Sequence, residues 1–263
     1  MRASELVRDV LVGPVRRATV VATGPMASYL DVDGRFLAVV AAGGVRLPCA
    51  AMLGHRGRPP VGPDLAVGGG HIHEHGRPTA VTGSWFDPRV RVGHVEPGAV
   101  ERLAAALLQR PCQDALLPAD AADRLAVALG GGRLDTTVAA LVGRGSGLTP
   151  AGDDLLAGAM AALCALGSAA AAGRLAAAVR RLAPGRTTRL SVALLEAAER
   201  GAVIPEAESV LRALARRTPV DGLGRALDEL VGVGHTSGWH LAAGLTVGAA
   251  HSVGAVTRGG VAS

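Results

Sequence analysis

Apolar and polar positions follow two different rhythms along this chain. In the first hundred residues the apolar positions come in short, β-branched runs at 18–23, 28–32, 36–41 and 80–82, separated by turn residues, which predicts strands. Asp33-Gly34 between YLDV and RFLAVV predicts a two-residue hairpin turn. Proline and glycine crowd 56–70, which predicts a loop, and Ser4 is placed to cap a short first helix. After Glu96-Pro97-Gly98 apolar residues recur every three or four positions. That predicts helices over 100–109, 119–129, 155–166, 174–182, 189–200, 207–216 and 223–231. Their breaks fall at Pro111, Pro118, 130–132, Pro150, Pro184-Gly185, Pro205 and Pro219. The expected fold is α+β: a β-rich N-terminal domain, 1–97, followed by an all-helical C-terminal domain, 98–263, carrying two glycine-rich loops.

Composition narrows the function. Nearly half the residues are hydrophobic but only 2% are aromatic, so alanine, valine, leucine and glycine must fill the core. The formal charge of +5 comes with no lysine at all; all 27 cations are arginines, scattered along the chain. Without basic runs or stacking aromatics the charge reads as a solvated surface, and nucleic acid is not an expected partner. Lacking lysine also removes a Walker loop, a Schiff base and a lysine general base. Cys49, Cys112 and Cys164 are far apart and without metal spacing, so all three are expected to be buried, reduced thiols, with Cys164 in the core. The N-terminus lacks the apolar stretch of a signal peptide, and no apolar run reaches a membrane-spanning length. The expectation is a cytoplasmic protein without a membrane partner.

The densest chemistry lies at 143–158, GRGSGLTPAGDDLLAG. Glycines end one helix, Thr149-Pro150 opens the next, and Arg144, Ser146, Thr149, Asp153 and Asp154 fall within eleven residues. Unpartnered amides and the positive end of a helix attract an anion there. A second unit echoes it: LVGRGSGLTPAGDDLLAG from Leu141 and LVGVGHTSGWHLAAG from Leu230 align Gly152, Leu155 and Gly158 with Gly238, Leu241 and Gly244. Two such units could face each other across a pocket; read structurally, Gly158 and Gly244 are packing points between helices and the acids only cap.

Around this centre, Gly145, Ser146, Gly147, Thr149 and Gly152 are candidates to hold a phosphate or carboxylate, with Arg144 and Arg186 or Arg189 supplying charge and bidentate geometry. Asp153 and Asp154 are candidate acceptors for an amide, or ligands for Mg²⁺, which prefers oxygen. His235 in the second loop is a candidate acid or base, beside Thr236, Ser237, Gly238 and His240 as further contacts. Thr187, Thr188 and Ser191 either touch ligand or cap and pack their helix. His71, His73 and His75 alternate, so on a strand all three share one face and form a weaker candidate metal site; the other reading is a solvated face at a loosely held edge. Trp85 and Trp239 read as core or pocket walls.

GSGLTPAGDDLLAG (145–158) resembles the signature of the oxamate carbamoyltransferase subunit family of the allantoin-degradation pathway. SWFDP (84–88), RTTRLS (186–191) with Ala198 and Gly201, and GHTSGW (234–239) resemble further family segments in the same order. The resemblance implies a transferase moving a carbamoyl group between oxamate nitrogen and phosphate, together with partner subunits. At His240 the resemblance implies an acidic residue instead; if an acid there contacts metal or the substrate amine, a changed substrate or activity is expected. The leading expectation is therefore a carbamoyltransferase-type enzyme or subunit acting on a small anionic substrate, as part of a complex or a homo-oligomer. A non-catalytic subunit that senses a small phosphorylated or carboxylate metabolite is the alternative; a nucleotide-dependent kinase or ligase is disfavoured by the missing lysine.

Overall fold

The computed structural model describes residues 2–54, 58–80, 83–112, 117–215 and 220–259. It divides into two compact units, 1–88 and 89–263. His55, Arg56, Gly57, Val81, Thr82, Arg216 and Pro219, which take part in the expectations above, lie outside the described residues.

The first unit is built on one curled sheet. Its strands are β1 (Arg2–Ser4), β2 (Arg16–Thr23), β3 (Ala27–Val32), β4 (Arg35–Val40), β5 (Ala50–Met52), β6 (Leu65–Gly68), β7 (His71–Glu74), β8 (Arg77–Ala80) and β9 (Ser84–Phe86). They lie in the order β8-β7-β6-β2-β3-β4-β5-β1-β9. β4–β5 and β1–β9 pair in parallel and the remaining pairs are antiparallel. Asp33 and Gly34 both have positive φ, 50° and 80°, the requirement of the tight turn that suits right-handed strand twist. Ser4 caps a 3-10 turn, Glu5–Val7, by accepting from the Leu6 amide at 3.1 Å, and α1 (Arg8–Val12) follows directly.

Two expectations need correction here. The run 56–70 is not all loop, because Leu65–Gly68 form β6 between β2 and β7; Leu65 and Val67 are buried, so core contact overrides the surrounding glycines. The three histidines do not share a strand face. His71 and His73 do, with ring centroids 5.8 Å apart, but β7 ends at Glu74 and His75 enters the turn with φ 49°. Nor is β7 an edge, since β8 pairs outside it. Among the described residues no three His, Cys, Asp or Glu side chains are grouped to hold a metal ion.

The second unit is helical: α2 (Ala99–Leu108), α3 (Ala121–Leu129), α4 (Leu134–Leu141), α5 (Ala151–Ala165), α6 (Ala169–Leu182), α7 (Arg189–Glu199), α8 (Pro205–Leu214), α9 (Val220–Val231) and α10 (Ser237–Gly259). The extended run before α2 belongs to it, with Val90, Val92 and Glu96 amides donating to the carbonyls of Gly201, Ala165 and Leu214 at 2.8–2.9 Å. α4 has no counterpart in the expected helices, because only Leu134, Val138 and Leu141 mark its apolar face and two threonines interrupt it. α5 is the centre of the unit. Every residue along it except Cys164 is buried, which is the pattern of a helix enclosed by others rather than one facing solvent.

α10 lies along α5 in the same direction. Thr149 and Ser237 hydroxyls meet at 2.7 Å where the two helices begin, and Ser168 and Ser252 hydroxyls meet at 2.8 Å near where α5 ends. Glycine permits the approach: a Cβ on Gly158 would run into the Leu241 carbonyl, and one on Gly244 into the Leu155 carbonyl. No helix of the described residues is long and apolar enough to cross a membrane. Cys49 is buried as expected, but two cysteines depart from expectation: Cys164 is half-buried with its thiol donating to the Glu199 carbonyl at 3.4 Å, and Cys112 is exposed.

Candidate functional site

The two glycine-rich loops repeat in geometry as well as in sequence. The Arg144 amide donates to the Leu141 carbonyl at 2.9 Å, and the Val233 amide to the Leu230 carbonyl at 3.0 Å. The Gly152 amide then donates to the Arg144 carbonyl at 2.8 Å, and the Gly238 amide to the Val233 carbonyl at 3.1 Å. A Cβ on Gly152 would strike the Leu141 carbonyl, and one on Gly238 the Leu230 carbonyl. The three-residue difference in loop length is absorbed between Arg144 and Gly152 on one side and Val233 and Gly238 on the other. In this correspondence Asp153 matches Trp239 and Asp154 matches His240.

Because α5 and α10 are parallel, both N-terminal ends open at the same place, joined by the Thr149–Ser237 contact. Two positive helix ends side by side form a stronger anion-attracting field than one. Among the described residues the amides of Gly145, Ser146, Gly147, Leu148, Thr149 and Ala151 donate to no backbone carbonyl. Gly145 has φ 124°, and a Cβ there would sit 2.5 Å from the Ala151 amide; only glycine lets the loop pass so close. Arg144, Ser146, Gly147 and His235 are exposed, while Thr149, Thr236 and Ser237 are half-buried.

The two acids are placed differently. Asp153 is buried, and both of its oxygens are engaged: Oδ1 accepts from the Gly143 amide at 2.9 Å and Oδ2 from the Thr187 hydroxyl. Burial pushes its carboxyl up, while bonds from Thr187, Gly143 and Ser191 pull it back. Asp154 is also buried, with hydroxyl contacts to Ser237 and Thr149, but its Oδ2 has no partner. Its carboxyl is held well above the usual carboxylate range, first by burial and then by the neighbouring Asp153, with the two hydroxyls only partly opposing. Mg²⁺ held by both acids would therefore have to displace the Gly143 and Thr187 donors. Of the oxygens on these two acids, Asp154 Oδ2 is the one left without a donor.

The remaining candidates divide by what they touch. The Arg186 guanidinium donates to the Ala139 carbonyl at 2.7 Å and so ties α4 to the turn before α7. Thr188 caps α7, accepting from the Ser191 amide at 3.0 Å, and its hydroxyl donates to the Leu148 carbonyl at 2.5 Å. It thereby fixes the glycine loop to the turn that carries Asp153's partner, Thr187. Thr188→Ala is expected to lower stability by about 1–2 kcal/mol, read as a shifted midpoint in chemical denaturation; an unchanged midpoint would show that neither bond matters.

His240 is 2% exposed, with Nδ1 3.0 Å from the Thr236 carbonyl and Nε2 3.7 Å from Cys112 Sγ. Trp239 donates from its indole nitrogen to the Arg110 carbonyl at 3.1 Å, and so holds the chain after α2. Cys112 is the neighbour that sequence reasoning missed, since 128 positions separate it from His240.

The family model described as oxamate carbamoyltransferase subunit AllH matches residues 141–249. That stretch runs from the last residue of α4 into α10 and contains both loops. No curated protein and no solved structure matches the chain.

Proposed function

From the match of residues 141–249 to the family model of the oxamate carbamoyltransferase subunit AllH, we propose that the paired loops bind the small anionic substrate of a carbamoyl transfer. The reaction moves a carbamoyl group between phosphate and a small amino or amide carboxylate such as oxamate. The observation that carries this reading is the convergence of two parallel helix N-termini on a buried carboxyl oxygen, Asp154 Oδ2, that has no partner.

A carbamoyl donor and its acceptor together present anionic oxygens and an NH₂ group. The amides of 145–149 and Ala151 suit the anionic oxygens, and Arg144 on the exposed rim adds charge. Asp154 Oδ2 suits the NH₂ group, which would satisfy the one orphaned oxygen. Asp153, already bonded to Gly143 and Thr187, positions the loop instead of meeting substrate. His235, exposed in the second loop, is the candidate acid or base toward the carbamoyl acceptor. As a subunit, the chain works beside partner subunits.

Calorimetric titration of the full chain with carbamoyl phosphate and with oxamate, beside a turnover assay with and without partner subunits, tests this. Binding lost in Asp154→Ala and turnover that requires the wild-type residue are expected. Binding without turnover in any assembly would instead mark a sensing subunit, and no binding of either compound would remove the assignment.

A further inference from the structure

Cys112 follows Arg110 and Pro111 in the segment that leaves α2. That segment is pinned. The Arg110 guanidinium donates twice to Asp228 Oδ1 on α9, at 2.9 and 2.6 Å, and once to the Ala106 carbonyl at 2.5 Å. Its carbonyl receives the Trp239 indole N–H. The exposed thiol of Cys112 is thus presented against the first turn of α10, where Sγ meets His240 Nε2 at 3.7 Å.

The imidazole is oriented by the second glycine loop. A carbonyl can only accept, so the 3.0 Å contact with the Thr236 carbonyl puts the proton on Nδ1. In the neutral ring this leaves the Nε2 lone pair facing the thiol. A nucleophile in reach of a base, with that base held by a third group, is the general arrangement of an activated nucleophile. The other two cysteines lack these features: Cys49 is buried, and the Cys164 thiol is spent on a carbonyl.

We propose that Cys112 is a nucleophilic thiol with His240 as its base, and that it accepts a carbamoyl group. The choice of electrophile rests on the function proposed above; the activation of the thiol does not. In the step, His240 Nε2 takes the thiol proton and Sγ bonds to the carbonyl carbon of carbamoyl phosphate. The bond from that carbon to the phosphate oxygen breaks, and His240 returns the proton to the departing phosphate. The product is an S-carbamoyl cysteine, with no oxidant or reductant involved.

Two measurements on the full chain test the two halves separately. Alkylation by iodoacetamide at neutral pH, resolved by peptide mass spectrometry, is expected to be about tenfold faster at Cys112 than for a small-molecule thiol in the same solution, and to slow about tenfold in His240→Asn. A wild-type Cys112 no faster than the free thiol overturns the pair, whether or not the His240 variant folds. Incubation with carbamoyl phosphate is expected to add the mass of one carbamoyl group at Cys112, ahead of the free thiol, and not in Cys112→Ser. The same adduct from cyanate alone at the same rate, or rapid alkylation with no carbamoyl adduct, overturns the electrophile while leaving binding at the Asp154 site to be judged by calorimetry.

Discussion

Gly158→Ala is expected to destabilise the helical unit by about 3 kcal/mol or more, which places it among the larger single-residue effects. The added methyl would meet the Leu241 carbonyl, the Leu245 amide and the Gly244 Cα. All three are backbone, so no side chain can swing aside; α5 and α10 would have to part. Because that contact is shared, Gly244→Ala should cost a similar amount, and the double variant less than the sum. Gly173 supplies the control, since it lies in α6 with nothing within 4 Å of the place its methyl would take. There alanine should stabilise by up to about 1 kcal/mol through helix propensity. Equal effects at Gly158 and Gly173 in denaturant titrations would show that the close helix pairing is absent in solution.

Asp154→Asn is expected to move stability and function in opposite directions. The buried acid sits beside Asp153 with one oxygen unpartnered, and both features favour its protonated form. A folded value raised above the unfolded one means that the group's stabilising contribution is complete below the unfolded value, about 3.9, and is lost as pH rises through the folded value. Asp153 is shifted in the same direction and adds to this slope. Asparagine keeps the shape without the charge, so at pH 7 it should raise stability by about 1–3 kcal/mol and flatten the loss of stability with rising pH. Turnover should fall about a hundredfold if the carboxyl meets the reacting group. Thermal melts across pH, paired with the turnover assay, give both readouts. A variant that is less stable at pH 7 than the wild type would mean that the charge is compensated by a partner, and the orphaned oxygen would then not be a ligand contact.

The extent to which the sequence was legible differs between elements. Asp33-Gly34 announced its hairpin because a left-handed turn restricts which residues can stand there. The amphipathic helices were legible from period alone, as in α8 and α9. β6 was not, because four residues between glycines and prolines carry no periodic signal, and pairing on both sides makes the strand. α4 failed for a similar reason. The histidine run alternated correctly but could not reveal that the strand ends at Glu74. Cys112 looked like any other isolated cysteine.

The loop and its echo were readable as a string, down to the glycines that align. By itself the sequence determined the α+β order, the similarity of residues 141–249 to one family model, and the concentration of glycines and acids at helix starts. These are local matters, set by backbone sterics, capping and periodicity within a few residues. Only the tertiary structure decided that α5 and α10 run parallel, that Asp153 is satisfied and Asp154 is not, and that His240 meets Cys112. Each of those depends on groups far apart in the chain, brought together by burial of the two central helices. Burial is a property of the whole packed unit, which no window of sequence contains.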